Sequence, residues 1–280
     1  MTNTLYSILQ IAKRQLEAVS DSPRLDAEYL LLHLLDKPHS YLYSHPEEIL
    51  SPHLREEYGR LIERRLQREP VAYIIGKKAF WSLELVVNPA TLIPRPETEL
   101  LVELALQKGS SKETLKVIDL GTGSGAIALA LAKERPNWMI TATDYSLGAL
   151  QTAQENAKRN KISNVTFIES CWWNGIEEQK FDLIISNPPY IASDDPHLNQ
   201  ADLRYEPLSA LASGPDGLDA VQGIIDNCIK FLHQGTWLVL EHGYHQAQPI
   251  NVLLKKKGFQ FIEHHKDLAG IPRAVVARQK

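Results

Sequence analysis

Residues 117–125 read Val-Ile-Asp-Leu-Gly-Thr-Gly-Ser-Gly, an apolar run that ends in a glycine-rich loop. A short apolar run bounded by a turn signal is typical of a buried strand. Glycines let the turn adopt positive φ and let a ligand approach the backbone closely. The Gly-x-Gly-x-Gly spacing is not that of dinucleotide sites, and no lysine follows as in a phosphate-binding loop. The pattern favours a nucleoside-type ligand, and a tight strand-to-helix turn without a ligand is the alternative.

Strands and helices alternate from residue 116 onward. Such alternation indicates an α/β fold with a mostly parallel sheet and helices on both of its faces. Seven strands are predicted, at 117–120, 138–143, 165–169, 181–186, 236–241, 259–264 and 274–278. Helices are predicted at 126–132, 146–159 and 221–232.

Residues 1–76 are predicted to form a small, separate helical bundle. Apolar residues recur at helical spacing between Leu5 and Leu16, and Ser22-Pro23 and Ser51-Pro52 are typical helix starts. Nine basic and eleven acidic side chains give this part a net charge of −2, so it is no basic clamp for nucleic acid. Its composition fits a structural bundle as well as a module that recognises a partner.

Residues 77–93 change to a period of two, and Asn88-Pro89 interrupts the alternation. We therefore predict a β-hairpin that links the bundle to a second domain over residues 94–280.

The whole chain has 280 residues and a net charge of −4, which argues against a broad phosphate-binding surface. No direct nucleic-acid binding is expected, and a local basic patch is the alternative that the net charge leaves open. Its two cysteines, Cys171 and Cys228, favour a reducing compartment without a disulfide framework. The first residues lack a signal-peptide pattern, and the most apolar early run is too short to span a bilayer. We expect a cytoplasmic monomer without a membrane partner.

Asn187-Pro188-Pro189-Tyr190 directly follows the apolar strand predicted at 181–186. The two prolines end the strand, and the stiff turn places an amide, a backbone carbonyl and an aromatic ring at one strand tip. Two acceptors and a stacking ring suit a planar group that carries an NH2. An ordinary proline-rich loop, in which Tyr190 merely packs, is the alternative.

Asp144 closes the strand that follows the glycine loop. A carboxylate there can accept hydrogen bonds from both ribose hydroxyls, and capping the helix at Ser146 is the alternative. An adenosine compound without phosphates fits a loop that has no Lys or Arg. S-adenosylmethionine is such a compound, and its positive sulfonium would not be repelled by an acidic loop residue such as Asp119.

Several motifs together resemble the peptide-chain release factor glutamine N5-methyltransferases, a family of class I S-adenosylmethionine-dependent methyltransferases. Besides the glycine loop and the Asn-Pro-Pro-Tyr turn they are Phe-Trp-Ser at 80–82, Pro-Arg-Pro-Glu-Thr-Glu at 94–99, Leu-Glu-His-Gly at 240–243 and Asp-Leu-Ala-Gly-Ile-Pro-Arg at 267–273. The glycine loop is common to many methyltransferases, and DNA amino-methyltransferases share the Pro-Pro turn. The full set, which spans nearly the whole chain, is specific.

The resemblance implies a Rossmann-like fold, S-adenosylmethionine as methyl donor and S-adenosylhomocysteine as product. The substrate would be the glutamine of the Gly-Gly-Gln motif in class 1 peptide chain release factors, and the helical bundle would recognise them. The implied cofactor-binding residues are Asp119, Gly121, Thr122, Gly123, Ser124, Gly125, Asp144, Trp172 and Asn187. The implied substrate-binding residues are Asn187, Pro188, Pro189 and Tyr190, of which Asn187, Pro188 and Tyr190 are also the catalytic residues.

Cys171 departs from the family pattern, in which an acidic residue often precedes the tryptophan that contacts adenine. A thiol is a weak acceptor, so a hydrogen bond from the adenine amine would be weaker or absent. Simple packing of Cys171 is the alternative. For Trp172-Trp173 the alternative to an adenine wall is a place in the core.

Two other classes of protein compete with this interpretation. A DNA or RNA amino-methyltransferase would use the same turn on a flipped base, but the acidic N-terminal part argues against it. A methyltransferase-like scaffold without activity is the second rival, and the intact Gly121, Asp144 and Asn187 argue against it. His242 and His245 do not match a metalloprotease pattern, so no metal is expected.

Overall fold

The computed structural model describes residues 3–199 and 201–280. The chain divides into two compact units, the first running to Lys77 and including Asn199–Tyr205, the second comprising Lys78–Leu198 and Glu206–Lys280. Across the described residues, no helix has both the length and the apolar character needed to cross a membrane.

The first unit is helical. Its helices are α1 Leu5–Leu16, α2 Pro23–Leu35, α3 Tyr41–Ser44, α4 Pro52–Leu66 and α5 Val71–Ile75. Both predicted Ser-Pro helix starts are confirmed, and the Ser51 hydroxyl accepts a hydrogen bond from the Leu54 N–H at 3.3 Å. The buried Arg65 guanidinium joins α4 to Asp26 of α2 at 2.7 Å.

Asn199–Tyr205 belongs to the first unit, although the sequence predicts it in the second domain. The reason is a set of polar contacts that the local sequence does not reveal. Arg65 contacts Asp202 at 2.9 Å, and the Tyr205 hydroxyl donates to the Gln67 carbonyl at 2.7 Å.

The predicted hairpin is present as β1 Lys77–Phe80 and β2 Leu83–Val86. It is part of the second unit rather than a free linker, because Phe80, Leu83 and Leu85 are buried in that unit's core.

The second unit contains the predicted seven-stranded sheet. Its strands are β3 Lys116–Leu120, β4 Met139–Asp144, β5 Val165–Glu169, β6 Phe181–Ser186, β7 Leu232–Glu241, β8 Phe259–Lys266 and β9 Pro272–Gln279. The order is β5-β4-β3-β6-β7-β9-β8, with β9 antiparallel to both of its neighbours and the other pairings parallel.

Helices cover both faces of this sheet. They are α6 Glu99–Lys108, α7 Ala126–Glu134, α8 Leu147–Arg159, α9 Asp219–Asn227 and α10 Ala247–Lys256. Successive residues of β3 point to opposite faces, so Val117 packs with α6 and α7 while Ile118 packs with α9 and α10. The α/β prediction is confirmed.

The order of strands reverses at β3, which lies between β4 and β6. In open α/β sheets the crevice outside the carboxyl ends of the strands at such a switch point is where ligands bind. The ends of β3, β4, β5 and β6 therefore bring the glycine loop, Asp144, Trp172 and Asn187 to one edge.

Candidate active site

A cavity of about 570 Å³ lies at this edge of the sheet, within the size range of ligand sites. Eight of the predicted site residues line it: Gly121, Thr122, Gly123, Ser124, Asp144, Trp172, Asn187 and Pro189. The other four, Asp119, Gly125, Pro188 and Tyr190, are not on its wall.

The glycine loop is held tightly against the end of β4. The N–H groups of Gly121 and Thr122 both donate to the Thr143 carbonyl, at 2.9 and 2.8 Å. Gly121 has a φ of 74°, and a Cβ added there would lie 3.3 Å from the Trp172 ring. Glycine at this position therefore keeps the loop backbone open to the cavity beside the indole.

Asp119 lies beneath the loop instead of facing a ligand. Its side chain is fully buried and accepts a hydrogen bond from the Thr122 hydroxyl at 2.6 Å. Burial raises the pKa of Asp119 to about 7, and the hydrogen bonds from Thr122 and from the Ala128 N–H oppose that rise. Asp119 thus supports the shape of the loop from behind.

Asp144 presents its carboxylate between the loop and the cavity. One oxygen accepts from the Gly123 N–H and the other from the Ser146 N–H, both at 2.9 Å. Burial raises the pKa of Asp144, and these backbone hydrogen bonds oppose the rise. The helix-cap alternative is wrong, because the cap of α8 is the Ser146 hydroxyl, which accepts from the Ala149 N–H at 3.2 Å.

The two adjacent tryptophans have different environments. Trp172 lines the cavity with a backbone φ of 53°. Trp173 is a core residue, since its indole N–H donates to the Ile224 carbonyl at 2.9 Å and its ring stacks on Phe231 at 4.4 Å. Cys171 is exposed and also lines the cavity.

Asn187 is held by two residues that were not predicted as site residues. Its amide nitrogen donates to the Thr98 hydroxyl oxygen at 3.1 Å, and that hydroxyl donates to Glu241 at 2.8 Å. Tyr190 turns its hydroxyl to the other oxygen of Glu241, at 3.3 Å. Burial raises the pKa of Tyr190, and the charge of Glu241 adds to the rise. The sequence offered one signal that could have identified Glu241. It is a carboxylate at the end of an apolar strand, β7, and this strand lies next to β6.

A second stretch of cavity wall was also missed. It comprises Pro207, Ser209, Ala210, Ala212, Ser213, Asp219 and Ala220. Glu206 anchors its start, because its carboxylate accepts from the Ile93 N–H at 2.9 Å and pairs with Arg95. At its far end Gly217 approaches the Tyr190 carbonyl so closely that a Cβ would lie 2.2 Å away. Local sequence gave no signal for these contacts.

Two sequence families match the chain. The PrmC N-terminal domain family matches residues 7–76, and the methyltransferase small domain family matches residues 96–202. The release factor glutamine methyltransferase of Coxiella burnetii is 47% identical over 266 residues, covering 95% of each chain. That of Xylella fastidiosa strain Temecula1 is 48% identical over 255 residues, 91% of this chain and 93% of that protein. The chain belongs to the release factor glutamine methyltransferase family.

A solved structure outside this family shares the fold. The ribosomal protein L11 methylase from Lactobacillus delbrueckii subsp. bulgaricus is 22% identical and superposes with a TM-score of 0.52, covering 69% of this chain and 84% of that one. This likeness is one of fold alone.

Buried carboxyls in this family member should make its stability depend on pH. Asp119 and Glu241 have pKa values of about 7 instead of 3.8 and 4.5, mainly because of burial. The folded state holds these protons more tightly, so the stability they contribute is fully present below about pH 4 and is lost as pH rises through about 7. We expect the free energy of unfolding to fall by a few kcal/mol over this window.

Urea unfolding between pH 5 and pH 8 measures this effect. Asp119→Asn should show a smaller fall than the unchanged chain, whereas Glu155→Gln on the exposed face of α8 should show the same fall. An unaltered pH dependence in Asp119→Asn would contradict the assignment.

Proposed function

We propose that the chain transfers a methyl group from S-adenosylmethionine to the side-chain amide nitrogen of the glutamine in the Gly-Gly-Gln motif of class 1 peptide chain release factors. Nearly full-length similarity to release factor glutamine methyltransferases carries the proposal. The orientation of Asn187 provides a way to bind the substrate amide, because the side-chain oxygen of Asn187 is left as a hydrogen-bond acceptor at the cavity.

The cavity residues fit S-adenosylmethionine. Gly121 and Gly123 offer backbone that a ligand can approach, Asp144 offers a carboxylate for two ribose hydroxyls, and the Trp172 ring offers an apolar face for adenine. When bound, S-adenosylmethionine supplies a methyl group made electrophilic by its sulfonium. Asp119 and Gly125 would contribute by holding the loop in shape.

Asn187 and Pro188 would prepare the substrate amide. An amide nitrogen is a poor nucleophile because its lone pair is conjugated with its carbonyl. The Asn187 side-chain oxygen and the Pro188 carbonyl would each accept one N–H of the glutamine, which fixes the amide and directs its nitrogen. Catalysis would come from orientation and placed dipoles. Pro189 would form the wall beside the amide, and Tyr190 would be held by Glu241 next to it.

The helical unit would recognise the release factor. The support is that the PrmC N-terminal domain family covers it while the residues of the cavity all lie in the second unit. Because release factors act in translation, we infer that the protein works in the cytoplasm.

Mass spectrometry of release-factor peptides tests this function. After incubation with the chain and S-adenosylmethionine, we expect one added methyl group on the Gly-Gly-Gln glutamine. A release factor with alanine in place of that glutamine should stay unmodified. Parallel incubations with DNA and RNA test the alternative that the chain is a nucleic-acid amino-methyltransferase. Methylation of nucleic acid, or of another residue in the release factor, would overturn the proposal.

Cys171→Asp should increase the affinity for S-adenosylmethionine. A carboxylate at this exposed position of the cavity wall can accept from the adenine amine, which a thiol does only weakly. We expect a gain on the order of 1 kcal/mol, measured as the Kd by calorimetry. Cys171→Ser is the control, since it changes the polarity without adding a charge. Equal affinities of the aspartate variant and the unchanged chain would show that Cys171 only packs.

A further inference from the structure

The side-chain amide of Asn187 has two chemically opposite ends. Its oxygen accepts hydrogen bonds and its nitrogen donates them. Asn187 lines the cavity, and its nitrogen is turned to Thr98 at 3.1 Å. The oxygen is therefore the end left for a ligand. A reversed amide would present a donor to a substrate NH2, and two donors cannot bond to each other.

The Thr98 hydroxyl determines which end of the Asn187 side-chain amide forms a hydrogen bond with it. The hydroxyl has a single proton, which it donates to the Glu241 carboxylate at 2.8 Å. An ionised carboxylate has no proton to donate, so Thr98 must be the donor in this bond. Its oxygen then remains only as an acceptor, and the amide nitrogen of Asn187 is the group that fits.

Burial makes this arrangement persistent. Thr98 is 4% exposed and Glu241 is 1% exposed, so water does not compete for their hydrogen bonds. Strand β6, which precedes Asn187, and strand β7, which contains Glu241, are neighbours in the sheet. Ser186 of β6 pairs with Leu240 of β7. Asn187 directly follows Ser186 after the end of β6, and Glu241 directly follows Leu240 as the last residue of β7, which brings both to the same edge of the sheet.

We propose that Thr98 and Glu241 are positioning residues that keep the amide oxygen of Asn187 directed at the substrate amide. This inference rests on the proposed function, since it is the NH2 of a carboxamide that requires the acceptor. Neither residue needs to contact the substrate for this role.

The arrangement has a pH dependence that a merely structural pair lacks. Burial raises the pKa of Glu241 to about 7, and the bonds from Thr98 and Tyr190 oppose the rise. A protonated Glu241 can donate to Thr98, which then donates to the Asn187 oxygen and leaves the nitrogen facing the cavity. The groups that interact with Glu241 are Thr98 and Glu97 before α6, Tyr190 after β6 and Arg273 in β9, and His242 is its neighbour in the chain.

Steady-state kinetics on a release factor, with variants at both positions, test the proposal. Thr98→Val removes the hydroxyl at nearly constant volume and should lower kcat by about 100-fold, with little change in KM or in cofactor Kd. Thr98→Ser keeps the hydroxyl and should retain most of the activity. The control is Thr236→Val, a fully buried threonine in the middle of β7 whose hydroxyl donates to the Phe181 carbonyl at the start of β6, and it should leave kcat unchanged.

The pH profile of kcat provides a second readout. In the unchanged chain kcat should fall as pH decreases through about 7, the pKa of Glu241. Glu241→Gln cannot ionise and can donate to Thr98, so it should have low kcat and lose this acid limb. A Glu241→Gln variant that keeps the limb, or a Thr98→Val variant with normal kcat, overturns the proposal.

A measurement without substrate separates this inference from the proposed function. In 15N NMR spectra the side-chain amide signals of Asn187, assigned by their loss in Asn187→Ala, should shift in Thr98→Val and in Glu241→Gln but not in Thr98→Ser. Unshifted signals in the first two variants refute the positioning role, whatever the substrate. If the signals shift but the unchanged chain does not methylate a release factor, the proposed function alone fails.

Discussion

Asn187→Ala is expected to lower kcat on a release factor by about two to three orders of magnitude, the effect of removing one preorganised polar group from an active site. The substitution removes the cavity-facing acceptor that would hold the substrate amide. Without it the nitrogen is no longer directed at the methyl group, and the loss of orientation appears in kcat. Cofactor affinity should change far less, because Gly121, Asp144 and Trp172 are untouched.

Single-turnover rates and cofactor Kd, measured on the same preparation, check this expectation. Asn137→Ala is the matched control, since this exposed asparagine donates to the Glu113 carbonyl at 2.6 Å just before β4, at the opposite edge of the sheet. Its rate should match that of the unchanged chain. Near-normal turnover in Asn187→Ala would remove Asn187 from the catalytic residues.

The sequence predicted the core of the fold because its strands are short apolar runs between turn signals. The run at 117–120 became strand β3, which lies between β4 and β6, and the family and the seven-stranded sheet are confirmed. β7 was predicted to start at 236 but begins at Leu232. His233, Gln234 and Gly235 look like a turn, yet they lie in an irregularity where the register with β6 shifts.

The site was predictable where it follows from strand ends and not where it depends on contacts between distant segments. Asp144, Trp172 and Asn187 each follow a predicted strand, so the parallel sheet necessarily brings them to one edge. Thr98 is 89 residues from Asn187 and 143 from Glu241, and spacing of that kind carries no local signal.

Asp119 shows a different limit of sequence reasoning. Its place before the glycine loop indicates that it belongs to the site, but not which way its side chain points. Burial and the hydrogen bond from the Thr122 hydroxyl place it under the loop, which it supports from behind.

Asp144→Ala is expected to raise the Kd for S-adenosylmethionine by about 100-fold. The variant would lose the two charge-assisted hydrogen bonds between the Asp144 carboxylate and the ribose. Together these bonds are worth about 2–3 kcal/mol in a partly solvated site. Part of the lost affinity would come from the loop. The Asp144 carboxylate accepts a hydrogen bond from the Gly123 N–H at 2.9 Å, and this bond fixes the loop. Isothermal titration calorimetry measures the change, and the melting temperature without ligand reports any loss of fold.

Asp219→Asn separates the ribose contact from a simple effect of charge. Asp219 also lines the cavity, so neutralising it removes a negative charge from the cavity wall without touching the end of β4. S-adenosylhomocysteine has the same ribose but no positive sulfur. If Asp144 binds the ribose, Asp144→Ala weakens both ligands equally and Asp219→Asn leaves S-adenosylhomocysteine unaffected. If Asp144→Ala weakens only the charged ligand, its carboxylate acts through its charge and the ribose contact is wrong.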